Sequence, residues 1–264
     1  MIFRRQVGWC VAQAFRMIGA RVRSVRACRQ PGVMLPIVCH ALPADDLDRL
    51  LGWLKRRNVS VWLSFDDGWK ETLDCVPVLE RYNQKALLFI APGAVIQGNV
   101  WTDAAQQLRI PSDVWRTWYG LAVSDREACL AAAGTQVKRR LMDVSEVKDL
   151  ARHPLIEIGN HTWSHPSAPH RPAEEFLREV EKTQGTLEAW TGQTPRFCAY
   201  PFGRGTPELD AELKKRSLTP VYTRQGRSTF QTLGEARNMA IEDVSFAENL
   251  GRVLMAWPRV GVTL

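Results

Sequence analysis

The first thirty residues contain no aspartate or glutamate, although they hold seven arginines (Arg4, Arg5, Arg16, Arg21, Arg23, Arg26 and Arg29). Setting those seven aside leaves 28 of the chain's 35 lysines and arginines for positions 31–264, against all 28 of its acids. The body is therefore neutral and the formal net charge of +7 belongs to the arm, which argues against a general nucleic-acid surface on the body. Cys-x-x-Cys pairs are also missing. Cys10, Cys28, Cys39, Cys75, Cys129 and Cys198 are scattered, so neither a zinc ribbon nor a thioredoxin-like motif is indicated, and a reducing compartment fits better than a disulfide framework. No Gly-x-Gly-x-x-Gly or Walker loop follows a strand, which disfavours nucleotide binding. There is no internal repeat. No run is apolar enough to span a bilayer, and the apolar core and small-residue cleavage site of an export signal are absent, so a signal peptide is not expected.

The arm has a pattern of its own. Val7, Val11, Ala14, Phe15, Ile18, Val22 and Val25 recur at helical spacing, with Arg5, Arg16 and Arg23 on the opposite face. Two readings stay open for residues 1–30: a basic amphipathic helix on an anionic membrane surface, or a helix whose apolar stripe docks on the body.

From residue 31 the chain alternates strand and helix. Strands are expected at 36–39, 59–65, 85–90, 155–158, 197–200, 219–223 and 237–241. Helices are expected at 45–57, 69–82, 173–190, from Thr206 to about 216, and at 245–257. Pro77 is a flaw in the second helix, and Asp143-x-x-Glu146 resembles a capping box. Residues 91–142 are irregular and hold Trp101, Trp115 and Trp118, and read as a long insertion of short helices. About seven βα units predict an α/β fold, a distorted (β/α) barrel spanning 31–264 with that insertion. The unusual motifs all fall at strand C-terminal ends, where barrels carry chemistry.

The first of these motifs is Ser64-Phe65-Asp66-Asp67-Gly68. Two adjacent carboxylates at the end of an apolar strand repel one another and need hydrogen bonds or a cation. An Asp-Gly turn in solvent is the plainer reading of that stretch alone. His161 and His165 follow a later strand four residues apart, and one local turn aims both rings the same way. Two imidazoles and one carboxylate make a three-ligand set for a divalent metal, with positions left for water and substrate. Zinc fits hydrolysis best, and cobalt, nickel or manganese suit the same ligands. His153 is expected to cap a helix end, and His170 to lie on a surface loop.

Together these residues carry a resemblance. Ser64 to Gly68 resembles the T-F-D-D-G motif of the polysaccharide deacetylase family (carbohydrate esterase family 4, the NodB-homology domain). His161-Thr162-Trp163-Ser164-His165-Pro166 matches its H-[ST]-x-x-H-P, and Ala199-Tyr200-Pro201-Phe202-Gly203 resembles its A-Y-P-[YF]-G form. His40, behind Cys39, resembles the histidine that opens many members. The resemblance implies a barrel short of eight repeats and a metal-dependent hydrolase that removes acetyl groups from N-acetylated sugars. It further implies that Asp67, His161 and His165 hold the metal, that Asp66 is the general base, and that the Phe202 backbone N–H faces the oxyanion. Thr162 would brace the histidine loop and Gly203 permit close backbone approach. Two departures stand out. Ala199 replaces an arginine that orients the base in many members, with Arg196 and Arg237 as possible substitutes. No histidine follows His170, so the late general acid is missing and His40 is the candidate for that role.

Tyr200, Pro201, Trp69 and Trp163 are expected to line the substrate site, the tryptophans by stacking on sugar rings, with Trp101 a further candidate. The expected substrate is an N-acetylated amino sugar in a cell-envelope glycan or its lipid-linked or nucleotide-linked precursor. The expected location is the cytoplasm, at the inner face of the membrane, with an exported enzyme acting on finished polymer as the runner-up. A non-catalytic carbohydrate-binding module that kept the fold is the alternative of a different class.

Overall fold

The computed structural model describes residues 34–223 and 236–241. The arm at 1–30, with Cys10 and Cys28, and the expected helix at 245–257 lie outside them. Seven parallel strands form a closed barrel in chain order: β1 (Met34–Cys39), β2 (Ser60–Phe65), β3 (Ala86–Ile90), β4 (Ile156–Asn160), β5 (Phe197–Ala199), β6 (Thr219–Thr223) and β7 (Ala236–Ile241). Pairing of β1 with β7, Ile37 opposite Met239 and Cys39 opposite Ile241, closes the ring. The distortion sits between β4 and β5, which share one register pair, Asn160 with Cys198.

Helices cover the outside: α1 (Ala44–Lys55), α2 (Glu71–Tyr82), α7 (Val144–Ala151), α8 (Ala173–Thr191) and α9 (Pro207–Lys215). Between β3 and α7 the insertion folds as α3 (Pro92–Gln97), α4 (Trp101–Gln107), α5 (Ser112–Trp115), a 3-10 turn (Arg116–Gly120) and α6 (Val123–Ala133). Pro77 sits within α2 without ending it, at the loss of one ladder bond. Asp143 and Glu146 form the complete capping box of α7, and Thr206 caps α9 ahead of Pro207 at its first turn.

Parallel strands are buried on both faces, so every residue of β3 is buried and its sequence is continuously apolar. Side chains alternate. Leu88 and Ile90 pack outward with Ile37, Leu63 and Phe65 under α1, α2 and α7. Leu87 and Phe89 meet Ala199 and Val221 in the lumen. A Cβ on Gly159 would stand 2.4 Å from the Phe89 ring, so this strand glycine is what admits the ring. A second cluster, under α8 and α9, contains Tyr200. It is 1% exposed, stacks on Phe176 and donates its hydroxyl to Asp210 at 2.8 Å. Burial together with Asp210 raises its pKa. The expectation that Tyr200 lines the substrate site is therefore corrected: its ring and hydroxyl are both spent in the core. Among the described residues no helix is long and apolar enough to cross a membrane, and Cys39, Cys75, Cys129 and Cys198 are free thiols.

Candidate metal centre

β2 delivers Asp66 and Asp67 to the C-terminal mouth of the barrel. The Asp66 N–H donates to the Cys39 carbonyl at 2.9 Å, and Gly68 N–H donates back to Asp66 at 2.9 Å. That tight turn puts Asp67 at φ 72° and Gly68 at φ 90°. β4 delivers the histidines. His161 N–H donates to the Ile90 carbonyl at 3.0 Å, and the Asn160 side chain accepts from Thr162 N–H at 2.9 Å. Thr162 and His165 then take φ 62° and 55°. Phe202 on the next loop takes φ 61°. Positive φ costs non-glycine residues energy and persists only where the surroundings impose it.

The result is a compact set. Asp67 Oδ1 lies 3.2 Å from His161 Nε2 and 3.2 Å from His165 Nε2, and all three residues are buried. Second contacts fix the orientation. His161 Nδ1 donates to the Ala199 carbonyl at 2.9 Å, which turns the Nε2 lone pair toward Asp67. Trp69 Nε1–H donates to Asp67 Oδ2 at 3.1 Å, whereas Oδ1 has no hydrogen bond of its own. A carboxylate oxygen facing two imidazole nitrogens calls for a proton or a cation among them, and these three donors suit a divalent metal.

The electrostatics separate the two aspartates. Burial alone would raise both. At Asp67 the neighbouring His165 and His161 outweigh it and hold the carboxyl well below its usual range. At Asp66 burial prevails, with Asp67 adding to it, against His161 and His40, and the pKa rises. His161 is raised, because Asp67 and Asp66 outweigh its burial; His165 is lowered, because burial, His161 and Arg126 outweigh Asp67. Adjacent carboxylates with opposed shifts suit different tasks, Asp67 as a constant ligand and Asp66 as a proton acceptor.

Other expected residues are placed as follows. His40 directly follows β1, acts on Asp66 electrostatically, and has a buried Nδ1 without a hydrogen bond. The Phe202 ring lies 4.6 Å from that of His165, between buried Pro201 and Gly203. Trp69 is 7% exposed, with Arg140 4.7 Å from its ring, so its face is covered and its contact with the centre is through the indole N–H. Trp163 carries Lys182 3.5 Å above its ring. For buried Trp69 the sugar-stacking expectation is corrected, because its ring is sealed under Arg140; half-exposed Trp163 has one face under Lys182 and only the other left for a sugar. Arg196 pairs with Glu157 and does not stand in for the arginine missing at Ala199, while the Arg237 side chain lies outside the described set. His153 bridges to Glu80 at 3.1 Å, and His170 is exposed, stacked on Tyr119.

Sequence reasoning missed a set of braces. Three successive carbonyls of the histidine loop are each held by a donor from the β3 side. Gly93 N–H reaches Trp163 at 3.0 Å, Arg126 Nη2 reaches Ser164 at 2.9 Å, and Trp101 Nε1 reaches His165 at 2.9 Å. Arg126 also stacks on Trp101, 4.7 Å from its ring, and Glu179 of α8 accepts from Ser164 N–H and Oγ. The richness of the insertion in tryptophan was the available signal; nothing in the sequence marks Arg126.

A family model described as polysaccharide deacetylase matches residues 55–221. The chain belongs to the polysaccharide deacetylase family. Its similarity to individual members is local. A peptidoglycan-N-acetylmuramic acid deacetylase, PdaC of Bacillus subtilis, is 34% identical over 58 residues, covering 22% of this chain and 12% of PdaC. A chitin deacetylase of Amylomyces rouxii is 41% identical over 46 residues, 17% of this chain and 11% of that protein. These matches span only about a tenth of each curated relative. The solved structure of IcaB from Ammonifex degensii superposes with a TM-score of 0.57 at 17% identity, over 85% of this chain and 98% of that one, a likeness of fold. The deacetylase family match covers the strand ends that carry Asp66, Asp67, His161, His165 and Phe202.

Proposed function

We propose that this chain is a metal-dependent deacetylase that hydrolyses the N-acetyl amide of an amino sugar. The observation that carries the reading is Asp67 Oδ1, facing both imidazole nitrogens with no hydrogen bond of its own, beside an Asp66 whose pKa is raised. Asp67, His161 and His165 would hold the ion; zinc suits two imidazoles and a carboxylate, and cobalt, nickel or manganese are compatible. A divalent ion bound there supplies an acidified water and a polarised acetyl carbonyl.

The protein's own groups do the rest. Asp66 takes the proton of the attacking water as its oxygen bonds to the carbonyl carbon. The Phe202 backbone N–H serves the oxygen that gains charge, and the left-handed turn at Phe202 supports that role. The carbon–nitrogen bond breaks, the nitrogen leaves as an amine with a proton from His40, and acetate is the second product. His40 is assigned for its place beside Asp66 at the barrel mouth.

A cell-envelope glycan or its lipid-linked precursor is the substrate class we favour, by analogy with PdaC and the chitin deacetylase, whose names specify N-acetylated polymers. A cytoplasmic site of action, with the basic arm against an anionic membrane, completes the proposal; the arm's charge and the free thiols support it. Flotation of the full chain with anionic liposomes, compared with a chain lacking residues 1–30, tests that part, and equal flotation ends it.

The chemistry is tested by metal content and acetate release together. Protein prepared without chelator is expected to hold about one equivalent of divalent metal per chain, and His161→Ala is expected to lose it. Asp66→Asn is expected to keep the metal and lose about a thousandfold or more in acetate release. Failure to bind zinc or cobalt would remove the hydrolase reading and leave a sugar-binding module.

A further inference from the structure

The insertion closes one side of the centre with aromatic rings. Phe202 meets His165 at 4.6 Å between centroids, Tyr119 meets Phe202 edge-on at 4.9 Å, and Trp115 meets Tyr119 edge-on at 6.2 Å. Trp101 and Trp118 behind them are sealed, but Phe202, Tyr119 and Trp115 are only half-buried. An apolar strip therefore leads outward from a metal-ligating histidine. Such a strip suits the C–H faces of a sugar.

Two exposed arginines rim it. The Arg116 guanidinium lies 5.6 Å from the Trp115 ring, and Arg204 follows Phe202 by two residues. Both act on the Tyr119 hydroxyl, partly offsetting the rise in its pKa that burial causes. Neither has an ion-pair partner among the described residues, and Asp113, one turn before Arg116, does not pair with it. By contrast Arg140, Arg171, Arg196 and Arg216 all hold carboxylates. Cations left without carboxylates beside half-buried rings offer an anion a planar, bidentate partner in a setting drier than open water.

We propose that Trp115, Tyr119 and Phe202, rimmed by Arg116 and Arg204, form a substrate subsite for an N-acetylated sugar bearing an acidic group, a phosphate or a carboxylate. This rests on the deacetylase reading above and narrows its substrate. The rings take the sugar and hold its acetamido group toward His165. The arginines take the acid.

Binding is measured on the zinc-loaded full chain carrying Asp66→Asn, which halts turnover. The probes are N-acetylglucosamine, N-acetylglucosamine 1-phosphate, N-acetylmuramic acid and inorganic phosphate, each titrated calorimetrically. At least one acidic sugar is expected to bind about tenfold or more tighter than the neutral sugar. The better of the two identifies the acid. That preference is expected to shrink at high salt and to vanish in the Arg116→Gln/Arg204→Gln chain, whose melting temperature and zinc content serve as folding controls. Equal binding of neutral and acidic sugars, a preference that survives the double substitution, or phosphate alone binding as tightly as the acidic sugar would each overturn the subsite. Acetate release by the unsubstituted chain separates the two ideas. Release from neutral and acidic sugars alike ends the subsite and keeps the deacetylase. Arginine-dependent binding without release from any sugar ends the deacetylase and keeps the subsite.

Discussion

Trp69 holds one oxygen of Asp67 so that the other stays turned to His161 and His165. Groups that orient a ligand from behind commonly govern affinity by ten- to a hundredfold. Trp69→Phe keeps the ring under Arg140 and deletes only the N–H, so zinc affinity is expected to fall by about tenfold or more with little change in melting temperature. Competition with a chelator of known affinity measures it, and unchanged affinity would reduce Trp69 to packing. The residues of the candidate centre stood out in the sequence because they violate local rules: two acids end an apolar strand, and two histidines share a short loop. The bracing role of Trp69 and the burial of Tyr200 were not, because an aromatic residue near a motif looks the same whether its face meets a sugar, a guanidinium or a phenylalanine. The left-handed backbone of Thr162 and His165 was equally hidden, since neither residue type asks for it and neighbouring side chains, Asn160 accepting from Thr162 N–H and Trp101 donating to the His165 carbonyl, impose it.

The caps and the insertion show how elements differ in reach. Thr206 satisfies one N–H at the start of α9, remote from the ligands, so Thr206→Ala is expected to cost about 1 kcal/mol in chemical denaturation and leave zinc stoichiometry at its original value. Asp143 behaves likewise at α7, with a pH signature. Ser145, Glu146 N–H and, more weakly, Lys70 depress its folded pKa against a small opposing effect of burial. Its contribution is thus present above the ordinary aspartate range and lost as pH falls through the depressed folded value. Protection of the Glu146 amide, taken relative to its intrinsic exchange rate, is expected to fall only in that acidic window. Gly93 is the opposite case: a Cβ there would lie 2.7 Å from both the Trp163 carbonyl oxygen and its indole nitrogen. Gly93→Ala is therefore expected to displace the histidine loop and weaken zinc binding more than it lowers the melting temperature. The capped helices were readable from Asp143-x-x-Glu146 and Thr206-Pro207, whose signals are local. The short helices of the insertion have few periodic positions to read, and they make contacts with residues 163–165, from 38 to 70 positions further along the chain.

At the scale of the molecule, seven parallel strands close around a lumen filled by Phe89 and its neighbours, against which His161 rests at 6.3 Å. Phe89→Ala removes a fully buried ring and is expected to cost about 3 kcal/mol or more. Thermal denaturation should register that as a drop of roughly 10 °C. The barrel was legible from the alternation of apolar runs with amphipathic stretches and from the position of every odd motif at a strand end. Its weakest seam was not, because register between β4 and β5 depends on geometry rather than on composition.

The three carbonyls clasped by Gly93, Arg126 and Trp101 also carry a consequence for inheritance. The segment after β3 and the histidine loop cannot drift separately: a change in one alters the mould in which the other is cast. Natural variants of this chain should exchange the two as a matched pair, and a chimera that borrows a foreign insertion should recover the metal-binding capacity proposed for the parent only when the donor's histidine loop travels with it.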